Sequence, residues 1–198
     1  KIGAAPRFLG SSSNYGAFEA HFDTGIETPF GIGMLRSGVQ GRWRRSPEEV
    51  LENATGRWIW QSTPAHTFEA AVLGAAGARP PRNYQMVVGG LNGLRAYPVH
   101  AVAGKRLVRW NVEDRHALVR DLFQFMTVGS AVFVDGARGW GSGAEGTGWF
   151  TDAGIGLRIA PPRAAIGPVI RVDVAWPISP TRDTKREPVL SIGSSQAF

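Results

Sequence analysis

The chain contains no cysteine. That excludes a disulfide-stapled scaffold and any thiolate metal site. It has no long apolar run either. The most hydrophobic stretch, 126–134, reaches about half the length a membrane helix needs and is interrupted by Gly129 and Ser130. Charged residues are few, at 19%, but hydrophobic residues make up 43%, which is not a disordered composition. There is no Lys/Arg block. A net charge of +6 admits anionic partners such as lipid headgroups, yet with the basic residues spread along 198 positions no nucleic acid is expected. Lys1, Gly3, Pro6 and Gly10 open the chain without the apolar core of a signal peptide, which for an exported protein implies a mature or truncated start.

What the chain does have is glycine (26 residues), tryptophan (7 residues) and alternation. Along 166–178, Ile166, Pro168, Ile170, Val172, Val174, Trp176 and Ile178 share one parity, and Gly167, Val169, Arg171, Asp173, Ala175 and Pro177 the other. The same period of two runs through 153–160, 105–115 and 18–23. By this rule about ten strands are expected, near 14–24, 30–45, 54–62, 66–76, 84–90, 105–115, 123–136, 150–160, 166–178 and 188–198. One short helix is expected after the second, because Ser46-Pro47-Glu48-Glu49 offers an N-cap, a first-turn proline and an acidic third position. No internal repeat or long linker divides the chain, so 1–198 reads as one domain or one segment of a larger one.

Half-apolar strands suit two architectures. A soluble sandwich turns the apolar face inward; a membrane barrel turns it toward lipid and fills its interior with small and polar groups. The second is favoured here. The non-apolar face is rich in glycine as well as charge, the strands approach bilayer-crossing length, and Trp140, Trp149, Phe150 and Trp176 sit near strand ends like interfacial girdle residues. The fold expected is all-β: an antiparallel transmembrane β-barrel with one short helix.

The terminal strand carries Leu190, Ile192 and Phe198 on one parity. A last strand ending on an aromatic resembles the sorting signal of bacterial outer-membrane barrels. Further landmarks precede it in order. Leu94-Arg95-Ala96-Tyr97 resembles the Val-Arg-Gly-Tyr/Phe motif of the BamA/TamA superfamily of outer-membrane assembly proteins and two-partner-secretion transporters, the bacterial surface-antigen type. Asn111-Val-Glu113-Asp-Arg115 resembles its Glu-x-Arg strand. Phe133-Val-Asp135-Gly-Ala137 resembles its Phe-x-Asp-x-Gly strand, with Gly136 one position early and Ala137 where glycine is expected. Gly154-Ile-Gly156-Leu-Arg158 and the Arg171-Val-Asp173 strand resemble the next two. The resemblance covers about 84–198; the earlier part is similar only as alternating strands.

The resemblance implies that a long loop folds back into the barrel lumen and that its arginine, Arg95, meets an acid on the inner wall. Asp135 is the natural partner, with Glu113 and Asp173 as second candidates. Tyr97 and Phe133 complete the loop anchor, and Glu113, Arg115, Arg158, Arg171 and Asp173 form a polar lumen network. Ala96 stands where the family has glycine, so a backbone needing positive φ there would change the loop tip. The family barrel has sixteen strands and usually follows periplasmic POTRA domains, of which no pattern is seen. The chain is therefore expected to close alone, to form the C-terminal part of such a barrel, or to be completed by a second chain. Long connections at 91–104, 137–149 and 179–187 would be extracellular and short ones at 116–122 and 161–165 periplasmic, with the 46–53 helix an exception to that pattern.

Other chemistry is thin. His21, His66, His100 and His116 show no metal spacing, Ser142 lacks a nucleophile elbow, and Gly104-Lys105 lacks the rest of a phosphate loop. Glu19, His21 and Asp23 share a face and read as a lumen hydrogen-bond network. No metal, cofactor or enzyme activity is expected. The function implied by the resemblance is assembly, insertion or translocation of proteins at the bacterial outer membrane. Its partners would be outer-membrane lipid and lipopolysaccharide, client proteins, and accessory assembly proteins or a second barrel chain. The alternatives are a structural barrel or passive pore without insertase activity, and a soluble β-sandwich binding module.

Overall fold

A computed structural model describes residues 1–5, 14–78, 84–90, 92–123, 126–141, 148–160, 168–179 and 187–196. The protein is all-β. Its strands are β1 (Ile2–Ala5), β2 (Tyr15–Thr28), β3 (Gly31–Trp43), β4 (Pro47–Thr63), β5 (His66–Ala78), β6 (Met86–Val88), β7 (Val102–Gly104), β8 (Arg106–Leu122), β9 (Met126–Trp140), β10 (Phe150–Ala160), β11 (Pro168–Pro177) and β12 (Val189–Gln196). Ten of them form one antiparallel sheet in the order β1-β2-β3-β4-β5-β8-β9-β10-β11-β12, while β6 and β7 pair separately. The sheet is open: β1 and β12 are its two edges and do not pair with each other.

Alternation sets two faces across the sheet, because directly paired residues of antiparallel neighbours point the same way. One face carries Phe22, Ile26, Leu35, Val72, Val132, Ile155, Leu157, Ile170 and Trp176, all substantially exposed. The opposite, inner face carries polar rows. One such row runs Asn111–Asp135–Asp152 across β8, β9 and β10, and another pairs Glu69 with Glu113 across β5 and β8. Residues 84–90 and 92–105, with β6 and β7, cover part of this face. Leu94, Tyr97, Val88 and Val102 pack there against Leu107, Phe133, Ala137, Phe150 and Ala175, forming the buried apolar cluster.

Three sequence expectations are corrected. No helix occurs among the described residues, and 46–53 enters β4 instead. Pairing to both neighbours overrides the local capping signal. Leu51 faces Gln40 on one side and Gly77 on the other, so a helical turn would break two ladders at once. The irregularity that looks like a helix start is a bulge: register shifts between Gln40 and Arg42, and Glu49 takes φ 52° with its carboxylate on Arg42 at 2.9 Å. Second, 84–90 is not a strand of the main sheet. β5 pairs directly with β8, and β6 is a three-residue piece of the covering loop. Ten strands are still found in the main sheet because β1, unexpected from sequence, adds one at the edge beside β2. Third, Phe150 is not at the rim; it is 5% exposed, on the inner face against Tyr97 at 5.5 Å.

Removing 84–90 from the sheet also reverses the parity of the earlier turns. The strand ends joined by the β3–β4, β5–β8, β9–β10 and β11–β12 connections now lie at one end of the sheet, and those joined by the β2–β3, β4–β5, β8–β9 and β10–β11 connections at the other. The exception at 46–53 disappears, and the 116–122 connection becomes part of β8.

Candidate functional site

Arg95 is the centre of the inner-face cluster. The loop reaches it through Gly89, Gly90 and Gly93, at φ 154°, 58° and 99°, a left-handed path that side-chain-bearing residues resist. Ala96 is absent from the positive-φ residues, so an alanine at this point of the loop costs the backbone nothing.

The guanidinium is held on three sides. Nε and Nη2 donate to Asp135 Oδ2 and Oδ1 at 2.8 and 3.0 Å, a two-point fork. Nη1 donates to Glu113 Oε2 at 3.0 Å and to Asp173 Oδ2 at 3.1 Å. Beneath it lies the Phe133 ring, 3.3 Å from the guanidinium carbon to the ring centroid. The three acids come from β8, β9 and β11 and are almost fully buried, as is Arg95 at 4% exposure. Sequence reasoning placed Asp135 first and the other two as substitutes; all three bind together. Burial opposes the Arg95 charge, but the hydrogen bonds and charge of Asp135, with Glu113 and Asp173, hold its pKa above the ordinary guanidinium value.

A second arginine closes the network. Arg158 donates through Nε and Nη2 to Glu113 Oε1 at 3.0 and 2.8 Å, and through Nη1 to Asp173 Oδ1 at 2.5 Å. Arg115 Nε adds a bond to Glu113 Oε1 at 2.6 Å, and its Nη2 lies 2.9 Å from Glu69. Three guanidiniums thus interlock with Glu113, Asp135 and Asp173, which satisfies the condition for burying charge. Arg171 shares the inner face, opposite Arg158, but its Nε has no hydrogen-bond partner among the described residues. With Arg57, Glu69, Arg95 and Arg109 it borders a cavity of about 320 Å³.

Tyr97 anchors the far side of the loop. Its hydroxyl lies 2.9 Å from the Thr151 carbonyl and 2.7 Å from that of Ser179, and burial raises its pKa. Asp152 Oδ2 accepts the Ala96 N–H at 3.0 Å. Asp152 and Asn111, which donates to Asp135 Oδ1 at 2.5 Å, were not singled out from sequence. For Asp152 the signal was present, since it shares the parity of Gly154 and Arg158.

Two glycines make room for this arrangement. A Cβ on Gly154 would come within 2.3 Å of the Phe133 ring, and one on Gly156 would collide with the Asp173 carboxylate and Arg158. Gly136, the residue that sits one position early in its motif, lies on the outer face under the Trp110 ring. Ala137, in the expected glycine position, is fully buried in the loop-covered core.

Elsewhere, Leu190 and Ile192 lie exposed on the outer face of β12; Phe198 lies outside the described residues, as do Ser142, Ile166 and Gly167. Glu19, His21 and Asp23 share the inner face of β2, with His21 on Glu19 at 2.6 Å and Arg36 on Asp23 at 2.7 Å. His66 and His116 are not isolated: β5 and β8 place them side by side. No family model matches the chain, and neither does any curated protein.

Proposed function

We propose that this chain is a bacterial outer-membrane β-barrel segment of the BamA/TamA-like surface-antigen type, acting in the assembly, insertion or translocation of other proteins. The observation that carries the reading is the Arg95 loop, docked on the inner face of an antiparallel sheet whose outer face is apolar. A soluble sandwich would cover that apolar face with a second sheet; here, among the described residues, Val132, Ile155, Ile170 and Trp176 have no second layer over them. Lipid is the cover that suits them. Three of the four connections at one end, 79–105, 141–149 and 178–188, are long, and three at the other, 29–30, 64–65 and 123–125, are short, which supports this topology.

The free edges of β1 and β12 fit a sheet that is one part of a larger barrel. Counted back from β12 as the last of sixteen strands, the Arg95 loop becomes the sixth long loop of the family order. Strands from the same polypeptide or from a second chain would close the ring. Pairing at the seam would then guide an incoming client strand by its backbone hydrogen bonds, with outer-membrane lipid and lipopolysaccharide against the outer face. The passive-pore alternative is less well supported, because the docked loop fills the lumen side of β8–β11.

The test begins with the full chain folded in detergent and in liposomes. A heat-modifiable gel shift, and catalysed insertion of an unfolded client barrel read by protease protection, are expected. Stable solubility without detergent would sink the membrane reading. Ion conductance without client insertion would leave the barrel and replace its function by the pore.

A further inference from the structure

On the outer face, toward the short-turn end, β5 and β8 gather three side chains that the Arg95 network does not use. His66 and His116 are direct cross-strand partners. Asp114 precedes His116 by two residues and so shares its face. The two imidazoles stack with centroids 4.5 Å apart and planes 17° from parallel. Both direct Nε2 at one carboxylate: His66 lies 2.5 Å from Asp114 Oδ1, and His116 3.2 Å from Oδ2. Ser62, near the end of β4, meets His66 Nδ1 at 2.5 Å, and Trp60 closes edge-on over the His66 ring. The side chains of His66, Asp114 and His116 are 25%, 42% and 51% exposed, so an ion can reach them from outside.

We propose that His66, Asp114 and His116 form a zinc site, with two imidazole nitrogens and one carboxylate oxygen as ligands and water in the fourth position. Two imidazoles with one carboxylate is a donor set zinc accepts readily. The three donor atoms already lie within 4.8 Å of one another. Tetrahedral zinc with bonds of about 2.0 Å wants them roughly 3.3 Å apart. The closest pair must open slightly and the farthest must draw in, a rotation of side chains that leaves both strands in place. Ser62 supplies the outer support: when its hydroxyl accepts Nδ1–H of His66, the Nε2 lone pair is free for the metal. In a neutral His66 ring zinc binding selects the tautomer with its proton on Nδ1, so a proton held on Nε2 in the metal-free cluster is replaced by one on Nδ1 with no net release. The ion would clamp β5 to β8 across a pair that otherwise depends on backbone bonds and a shared carboxylate. In a barrel the site would lie at the short-turn rim, His66 being the first residue of β5, so the ion would enter there from water and not through lipid.

The experiment titrates Zn²⁺ alone into the tag-free, folded full chain by calorimetry, and repeats the titration with Co²⁺ followed by visible absorption. One equivalent of zinc, and the intense spectrum of four-coordinate cobalt, are expected. His66→Ala, His116→Ala and Asp114→Asn should each weaken zinc by at least the ten- to hundredfold typical of losing an outer partner, and Ser62→Ala by roughly tenfold. His21→Ala and His100→Ala should change nothing. Zinc binding that survives both His66→Ala and His116→Ala would overturn the proposal. So would a weak, six-coordinate cobalt spectrum on the unmodified chain, which needs no variant to fold.

Discussion

β2–β4 and β8–β11 belong to one sheet and obey one alternation, yet they bury their inner faces to very different extents. The Arg36–Asp23 pair on β3 and β2 is 75% and 58% exposed, whereas Arg95 and Asp135 are 5% and 1% exposed. The strands do not differ in kind; the second group has the 79–105 loop over it and the first does not. Burial of the inner face is therefore a property of the loop. The same two residue types form a water-screened surface pair in one region and a desolvated, multiply bonded network in the other.

Arg95→Ala tests that contrast most severely. Leaving Asp135, Glu113 and Asp173 without their shared cation is expected to cost on the order of 3–5 kcal/mol and to release the loop. Arg36→Ala should cost about 0–1 kcal/mol. Protease sensitivity of 79–105, measured beside overall denaturation, separates the two, and equal effects would erase the distinction. Because Arg95 touches three acids, Asp135→Ala should be milder than Arg95→Ala. Arg95→Lys should rescue only in part, since an ammonium cannot reproduce the fork.

Under the barrel reading, Val172→Arg on the outer face should cost roughly 2–4 kcal/mol near mid-bilayer, read from unfolding in liposomes. Spin labels sharpen this: a lipid-soluble quencher should reach a label at 172 better than one at 171, and the reverse would invert the assigned faces. Gly154→Ala should cost about 1–3 kcal/mol by displacing Phe133 from under Arg95. Gly74→Ala, where nothing lies within 4 Å of an added Cβ, should be neutral or slightly stabilising in the same assay. A modest effect belongs to Tyr97→Phe, which removes the single hydroxyl proton that the Thr151 and Ser179 carbonyls compete for. A loss of about 0.5–1.5 kcal/mol is expected, visible as faster amide exchange in the loop with the rest of the sheet unchanged.

The legible parts of the sequence were those governed by period two. The inner and outer assignments of β9 and β11 followed directly from parity; Asp135 as the partner of Arg95 came from the family resemblance, and parity added only Glu113 and Asp173 as second candidates. Phe150 was misplaced although parity with Asp152 and Gly154 pointed inward; proximity to a strand end outweighed it. Local signals misled where nonlocal pairing decided. Ser46-Pro47-Glu48-Glu49 satisfies a helix start in isolation, and only the ladders to β3 and β5 overrule it. The apolar 84–90 segment cannot reveal that β5 bypasses it to pair with β8. The joining of His66 to His116, fifty positions apart, depends on register, which no single strand encodes.

Alternation alone leaves a degeneracy. Sliding any strand by two residues keeps every side chain on its proper face, so a hydrophobic pattern cannot reject such a slip. The Arg95 fork can. Its partners lie 40, 18 and 78 positions away in sequence, on three separate strands. A two-residue slip displaces a carboxylate by roughly 6.6 Å, more than twice a hydrogen-bond length. The guanidinium can be fully bound only after β8, β9 and β11 have reached native register. Docking of this loop is thus a late event in folding and a checkpoint on it: a chain zipped in the wrong phase leaves its own cation stranded and remains free to come apart and try again.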